Sequence, residues 1–309
     1  MSATATTARG HGAAEFRAAG TDLSERRRSG VSRGPLVDLA PSAETTGIEW
    51  GADGAARIGA FTRIAAIAAD LRLAMTYPGL AGAAGGLATP QIRQLATLGG
   101  NLAQRSRCWY YRNPHIACLK KGGPTCPARD GNHLYGVAFD LGPCVAPHPS
   151  TMATALLAYD ATVTTDRRRA LTIAQLLGDG SDGSADHALE PGEIIKSIDL
   201  PPPTANEKAL YKRAISRSYA EWPLVEVVLR TAVSGGSFVF VRAAAGGIAP
   251  VPLRLSAVES AATGAPATAP TIARAAAQST IGAKPLAMTA YKLDLLKGLV
   301  QDLMEAVTT

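Results

Sequence analysis

The chain has 309 residues, 47% of them hydrophobic and 18% charged, and 31 basic against 25 acidic side chains leave a formal net charge of +6. That length and composition predict a globular protein with a sizeable core, divided into two domains. They exclude a disulfide scaffold, since four cysteines are too few, and a membrane span, since no apolar run reaches the roughly 20 residues required.

Along the chain, residues 1–13 are Thr-, Ala- and Gly-rich and are expected to be disordered. They contain no secretory h-region, and Arg26-Arg27-Arg28 is not followed by the apolar segment of a twin-arginine signal. The compartment is therefore read as cytoplasmic, or periplasmic if the chain is exported with a partner that carries the signal. Glu15 to Leu23 reads as a short strand entering a glycine turn. Strand-like pieces follow at 36–39, 47–50 and 56–59. Ile64, Ile67, Leu71 and Met75 recur at helical spacing and predict one helix from Thr62 to Met75, stopped by Pro78. A second helix is expected over 79–88. Residues 102–148 look irregular. Ser150 or Thr151 then caps a helix over 152–159, strands follow at 161–165 and 193–200, and Pro201-Pro202-Pro203 marks a domain boundary. Beyond it, Gly235-Gly236 between 224–233 and 237–245 signals a hairpin. Helices near 271–279 and 289–307 close the chain, the last with Leu295, Leu299, Leu303 and Val307 on one face.

The four cysteines, Cys108, Cys118, Cys126 and Cys144, all fall in the irregular stretch, spaced C-x9-C-x7-C-x17-C. A structureless loop this long needs a reason, and a metal cluster that cross-links four points of it supplies one. The spacing lacks the tight pairs of zinc knuckles and bacterial ferredoxins. It leaves open a [4Fe-4S] cluster, zinc, disulfides or unrelated cysteines. Arg107, Arg112, Lys120 and Lys121 stand close enough in sequence to offset the charge of a cluster. Trp109, Tyr110 and Tyr111 also lie among arginines, but no long basic face accompanies them, so nucleic acid is not an expected partner. His115, His133 and His148 are read as solvated loop residues.

Two glycine turns, Gly20-Thr21-Asp22 and Thr97-Leu98-Gly99-Gly100-Asn101, each follow an extended segment. Glycine permits a positive φ and a close approach of the backbone to a phosphate. Taken alone, each motif is better explained as a plain tight turn. No G-x-G-x-x-G or P-loop pattern occurs, and no hydrolytic nucleophile–base pair stands out.

Taken together, several segments resemble a known family: AAGTDL from Ala18, ATPQIRQLATLGGNLAQRSRCWYYR from Ala88, CLKKGG from Cys118, CP at Cys126, CVAPHPS from Cys144, PGEIIKSIDLP from Pro191 and GGIAPVPLR from Gly246. The chain is similar to the FAD-binding medium subunit of the xanthine dehydrogenase/aldehyde oxidoreductase molybdenum hydroxylases, in particular those bacterial aldehyde oxidoreductase subunits with an extra [4Fe-4S] cluster. The resemblance implies an α+β fold: a vanillyl-alcohol-oxidase-type FAD-binding domain over 14–203, with a cysteine-rich [4Fe-4S] insertion at 102–148, and a C-terminal flavoprotein domain over 204–309 with a small antiparallel sheet and helices. It further implies that Gly20, Thr21, Asp22, Leu23, Thr97, Gly99, Gly100, Asn101 and Thr151 hold FAD. Ile194 or Ile195 would lie near the adenine, Lys212 would contact the flavin, and Cys108, Cys118, Cys126 and Cys144 would ligate the cluster.

The implied function is an electron-transfer flavoprotein subunit. It would pass electrons from the [2Fe-2S] clusters of a small partner through FAD to an acceptor, while a molybdenum-cofactor large subunit oxidises the substrate. The chain itself would contribute no substrate-converting residue. Ala19 stands where relatives have glycine and Thr151 where they have aspartate, and a strand–helix unit that precedes the first turn in relatives has no counterpart. These departures suggest an alternative: a scaffold subunit that keeps the iron–sulfur cluster but binds FAD weakly or not at all.

Overall fold

The computed structural model describes residues 14–308, so the expectation for residues 1–13 lies outside the described residues. Strands β1 (Glu15–Arg17) and β2 (Leu36–Asp38) form a parallel pair. Strands β3 (Ile48–Trp50), β4 (Ala56–Gly59), β5 (Thr162–Thr165), β6 (Leu171–Thr172) and β7 (Ile195–Leu200) form an antiparallel sheet in the order β3-β4-β7-β5-β6. A second antiparallel sheet, ordered β11-β10-β9-β8, is built from β8 (Lys208–Ala214), β9 (Val225–Ser234), β10 (Ser237–Gly246) and β11 (Leu253–Arg254). The α+β class and the small C-terminal antiparallel sheet match the expectation.

Helix α1 (Leu23–Arg28) joins β1 to β2. Between β4 and β5 run α2 (Ile64–Ala69), α3 (Leu71–Thr76), α4 (Pro78–Gly86), α5 (Pro90–Leu95), α6 (Leu98–Leu102), α7 (Trp109–Arg112) and α8 (Thr151–Ala158). Helix α9 (Ile173–Leu177) follows β6, and α10 (Ser256–Ala262), α11 (Ala269–Gln278) and α12 (Tyr291–Thr308) cover the second sheet. Ile58, Ile64, Leu80, Leu98, Met152 and Ile198 belong to the core of the first domain. Val227, Leu229, Val241, Leu296, Val300 and Met304 belong to that of the second.

The single helix expected over 62–75 is two. Asp70 adopts an extended conformation (ψ 114°), and its carboxylate accepts from Leu73 N at 2.8 Å, which restarts the helix with a new N-cap. The restart shifts the helical phase, so Leu71 and Met75 point outward at 80% and 85% exposure. The second glycine turn also differs from expectation. It follows helix α5, not an extended segment, and Thr97 is itself the N-cap of α6. The Gly235-Gly236 hairpin is present, with φ of +56° and +74°, the paired positive values that suit a right-twisted two-residue turn.

The cysteine-rich stretch is largely irregular, as expected, but it is not without a core. Ala128, Val137 and Val145 pack together, and Ala138 and Phe139 join the core of the second domain. The amides of Ala138 and Phe139 both donate to Ile248 O, His148 N donates to Ala249 O, and Thr289 Oγ1 donates to Val137 O.

Candidate functional site

The first glycine turn is bent by Gly20, whose φ of +75° is open to glycine at little cost. Ala19, which stands where relatives have glycine, is not among the residues with positive φ, so the backbone there does not demand glycine. After the turn, Leu23 buries its side chain at the start of α1. Asp22 faces the cysteine-rich segment instead: it accepts from Arg112 Nη2 at 2.7 Å, from Arg105 N at 3.2 Å and from Arg26 Nε at 3.1 Å. Burial pushes the Asp22 carboxyl up, and the guanidiniums of Arg107, Arg112 and Arg26 more than offset this, holding it below the usual carboxylate range.

The second turn is packed from behind. A Cβ on Gly99 would lie 2.9 Å from Ala60 Cβ, and one on Gly100 would lie 2.9 Å from Thr97 Oγ1. The Gly99 amide donates to Ala60 O and the Gly100 amide to Thr97 Oγ1. Asn101 is oriented by Ser150, whose hydroxyl donates to Asn101 Oδ1 at 2.6 Å and caps α8 by accepting from Ala153 N. Thr151 donates to Glu226 Oε2 at 2.8 Å.

These two turns meet at one cleft of about 280 Å³, lined by Thr21, Asp22, Gly100, Asn101, Arg107 and Thr151. A larger cavity of about 550 Å³ opens between β1, Ala103, Arg105, Lys120 and the 184–193 segment. Arg107 Nε at the cleft and Arg105 Nε at the cavity are both buried without a hydrogen-bond partner among the described residues, although Arg105 stands 3.0 Å from Asp186 as a charge pair. Arg107 at the cleft and Arg105 at the cavity each bring a guanidinium beside these spaces, a chemistry that suits an anionic group such as a diphosphate. In this respect the residues present fit FAD.

Three expected contacts are not brought together here. Lys212 points away on β8 and pairs with Asp302 at 2.5 Å, because strand alternation turns its neighbour Arg213 inward to line the cleft. Ile195 is buried in the sheet core, and Ile194 donates its amide to Asp166. Glu193, one residue earlier, lines the cavity instead.

No disulfide joins the four cysteines, and they lie within electrostatic reach of one another: Cys108 with Cys118 and Cys126, Cys118 with Cys126, and Cys126 with Cys144. Burial raises the Cys108 and Cys118 thiols. The Cys144 thiol donates to Cys126, which draws Cys126 down and pushes Cys144 up. Backbone amides bond every sulfur: Tyr110 and Tyr111 to Cys108, Lys120 and Lys121 to Cys118, Ala128 and Val145 to Cys126, and Ala146 to Cys144. Amide-solvated sulfurs are the environment of cluster thiolates. Among the described residues, however, no group of three or more His, Cys, Asp or Glu side chains is placed to hold a metal ion.

The basic residues near the cysteines divide their work. Arg107 and Arg112 are spent on Asp22 and Glu25. Lys120 pairs with the buried Asp186 at 2.9 Å, and Lys121 donates to the carbonyls of Tyr110 and Asn113. Lys120, Lys121 and Arg129 still act electrostatically on the cysteines, and the contribution of Arg129 had no signal in the spacing. His148 is buried at 5% exposure rather than solvated, and its burial lowers the imidazole to about 4. His133 accepts from Met288 N.

The family described as FAD binding domain in molybdopterin dehydrogenase matches residues 1–203, and the CO dehydrogenase flavoprotein C-terminal domain matches residues 209–307. The aldehyde oxidoreductase FAD-binding subunit PaoB of Escherichia coli is 34% identical over 213 residues, which are 67% of this chain and 65% of that protein. A xanthine dehydrogenase FAD-binding subunit of Escherichia coli is 25% identical over 75% of this chain and 65% of its own length. The chain thus spans 65% of the length of both relatives. Among solved structures, quinoline 2-oxidoreductase from Pseudomonas putida 86 superposes with a TM-score of 0.72 at 20% identity, covering 95% of this chain and 89% of its own. Carbon monoxide dehydrogenase from Hydrogenophaga pseudoflava does so at 0.73 and 21%, covering 96% and 89%. Among the described residues no helix is long and apolar enough to cross a membrane.

Proposed function

The chain belongs to the family of FAD-binding subunits of molybdopterin dehydrogenases, and from that premise we propose that it is the electron-transfer flavoprotein subunit of a molybdenum hydroxylase. FAD is assigned to the cleft where the two turns meet and to the larger cavity. Thr21, Gly100, Asn101 and Thr151 line its path, and Arg105 and Arg107 face its diphosphate. When bound, the flavin supplies the ability to take up two electrons and release them singly. The residues of this chain bind and orient it: Asp22 fixes the first turn against the cysteine segment, Ser150 aims Asn101, and Arg213 supports the 216–223 loop beside the cleft by donating to Tyr219 O and Glu221 O.

A [4Fe-4S] cluster on Cys108, Cys118, Cys126 and Cys144 completes the proposal, supported by mutual electrostatic reach and amide bonding of all four sulfurs. The partners are a molybdenum-cofactor large subunit, where an aldehyde or N-heterocycle is oxidised, and a small [2Fe-2S] subunit. The observation that carries the reading is the meeting of both glycine turns and Thr151 at one cleft.

The second reading, a scaffold that retains the cluster without tight FAD, is favoured by one observation: the Gly99 and Gly100 amides are spent within the protein. Anaerobic purification with the partner subunits, followed by assay of flavin, iron and acid-labile sulfide, separates the two. One FAD and four irons beyond those of the [2Fe-2S] subunit are expected per chain. That extra iron without flavin favours the scaffold, and absence of both the extra iron and flavin overturns the assignment.

A further inference from the structure

A third cavity, of about 310 Å³, lies beside the FAD cleft and is not part of it. It opens between the cysteine-rich segment and the second domain. Four Trp and Tyr side chains line it, Tyr110 and, more exposed at 53%, 42% and 51%, Trp109, Tyr135 and Trp222. The Trp109 and Tyr135 rings lie 5.5 Å apart. Trp222 is held under the guanidinium of Arg107, 4.6 Å from its ring centroid, and this pair also lines the FAD cleft, forming the partition between the two spaces. Cys108 lines the same cavity.

The wall of the cavity carries an unusual cation. Lys292, at the start of α12, is 1% exposed. Its ammonium donates to Gly247 O at 2.7 Å and Tyr135 O at 3.3 Å. A lysine has three N–H donors, so one is left without a protein acceptor among the described residues, and no carboxylate forms an ion pair with it there. Glu226 reaches the same cavity, but its oxygens already accept from Thr151, Thr154 and Tyr211. His133 is likewise occupied by Ala128 O and Met288 N. A buried ammonium with one unused donor is costly unless a ligand satisfies it.

We infer that this cavity binds a planar aromatic molecule with an oxygen acceptor in the plane of its ring, the quinone class, with the ring among Trp109, Tyr135 and Trp222 and the oxygen on Lys292 Nζ. The volume suits a bicyclic ligand, aromatic walls suit a flat π-system, and a charge-assisted hydrogen bond fixes the oxygen. The inference goes beyond the function proposed above and does not need flavin in the neighbouring cleft. Within that function, such a molecule has the chemistry of a small electron acceptor.

Binding of 2,3-dimethyl-1,4-naphthoquinone to the full-length chain, measured by isothermal titration calorimetry, tests it. The methyl groups block the ring positions that would otherwise alkylate Cys108. The control ligand is 2,3-dimethylnaphthalene, which has the rings but no oxygen. Lys292→Met keeps the side-chain volume and removes the donor, and Trp222→Ala removes one wall. Saturable binding is expected, weakened roughly 10- to 100-fold by Lys292→Met, as for loss of a charged hydrogen bond. Trp222→Ala should weaken both ligands, while Lys292→Met should leave the weaker binding of the hydrocarbon unchanged. A thermal melt of each variant checks folding. Absence of quinone binding to the wild-type chain, equal quinone binding by folded Lys292→Met, or equal losses for both ligands in that variant overturns the inference. Flavin content, read from the visible spectrum of the same samples, reports on the proposed function separately.

Discussion

Arg112 donates from Nη2 to Asp22 Oδ1 at 2.7 Å, linking the cysteine-rich segment to the first glycine turn across 90 residues of chain. Both side chains are nearly buried, at 11% and 13% exposure. Removal of the charge from such a network leaves its partners uncompensated, so Asp22→Asn should destabilise the protein by about 2–4 kcal/mol. Flavin retention should fall with it. Because the folded-state carboxyl lies below its ordinary value, its contribution is fully present above about pH 4 and is lost as pH falls through the folded value. Chemical denaturation should therefore show a constant gap between wild type and Asp22→Asn from pH 5 to 8 that closes in acid.

Lys292 gives the opposite sign. Burial lowers its ammonium to about 7, whereas the unfolded chain keeps it near 10.4. Between those values the unfolded state binds more protons, so stability should rise with pH by up to about 1.4 kcal/mol per unit. Below pH 7 the penalty is fully present. Lys292→Met should abolish the slope and be the more stable protein at pH 6, as read from denaturant midpoints.

The second turn is sensitive to a single methyl group. Gly99→Ala places its Cβ 2.9 Å from Ala60 Cβ and 3.2 Å from Ala60 O. The turn must move away from β4, at a cost of about 1–3 kcal/mol. The expected readouts are a lower melting temperature and faster loss of flavin on gel filtration.

At Ala88 the direction reverses. Its φ of +48° is held by Arg93, which donates to the carbonyls of both Leu87 and Ala88 at 2.8 Å, at the edge of the FAD cleft. Ala88→Gly relieves the left-handed strain and should stabilise the fold by about 0.5 kcal/mol after the added chain entropy. Gly20→Ala, at φ +75°, should destabilise it by about 1 kcal/mol or more.

Cys126→Ser tests the cluster. Iron and acid-labile sulfide should fall sharply while flavin remains, because Cys126 does not line the FAD cleft. Unchanged iron in this variant would remove Cys126 from the proposed ligand set.

The sequence was informative where a local rule acts alone. Ser150 caps α8, the paired glycines turn the β9–β10 hairpin, and the three prolines end β7, each as expected. It misled where a neighbour decides the outcome. Leu71 and Met75 fit a helical stripe until the Asp70 carboxylate interrupts it. Lys212 and Arg213 are both cationic, and only the pairing of β8 with β9 shows which one turns inward. Lys292 looks like any helix-start lysine in sequence. Its burial depends on Gly247 and Tyr135, both distant in the chain, which no periodicity reveals. The Arg112–Asp22 link likewise joins positions 90 residues apart, which no local pattern marks.

The cysteine-rich segment has its amides on Ile248 and Ala249, its Phe139 ring in the core of the second domain, and its Arg112 on the turn of the first. Neither half of the chain therefore owns its whole interior. A fragment cut after Pro203 would expose Phe139 and strip three amides of their acceptors, and the remaining C-terminal piece would lose part of the packing over β9 and β10. Melting of the intact chain should accordingly proceed as one cooperative event, with the two compositional halves surviving or failing together.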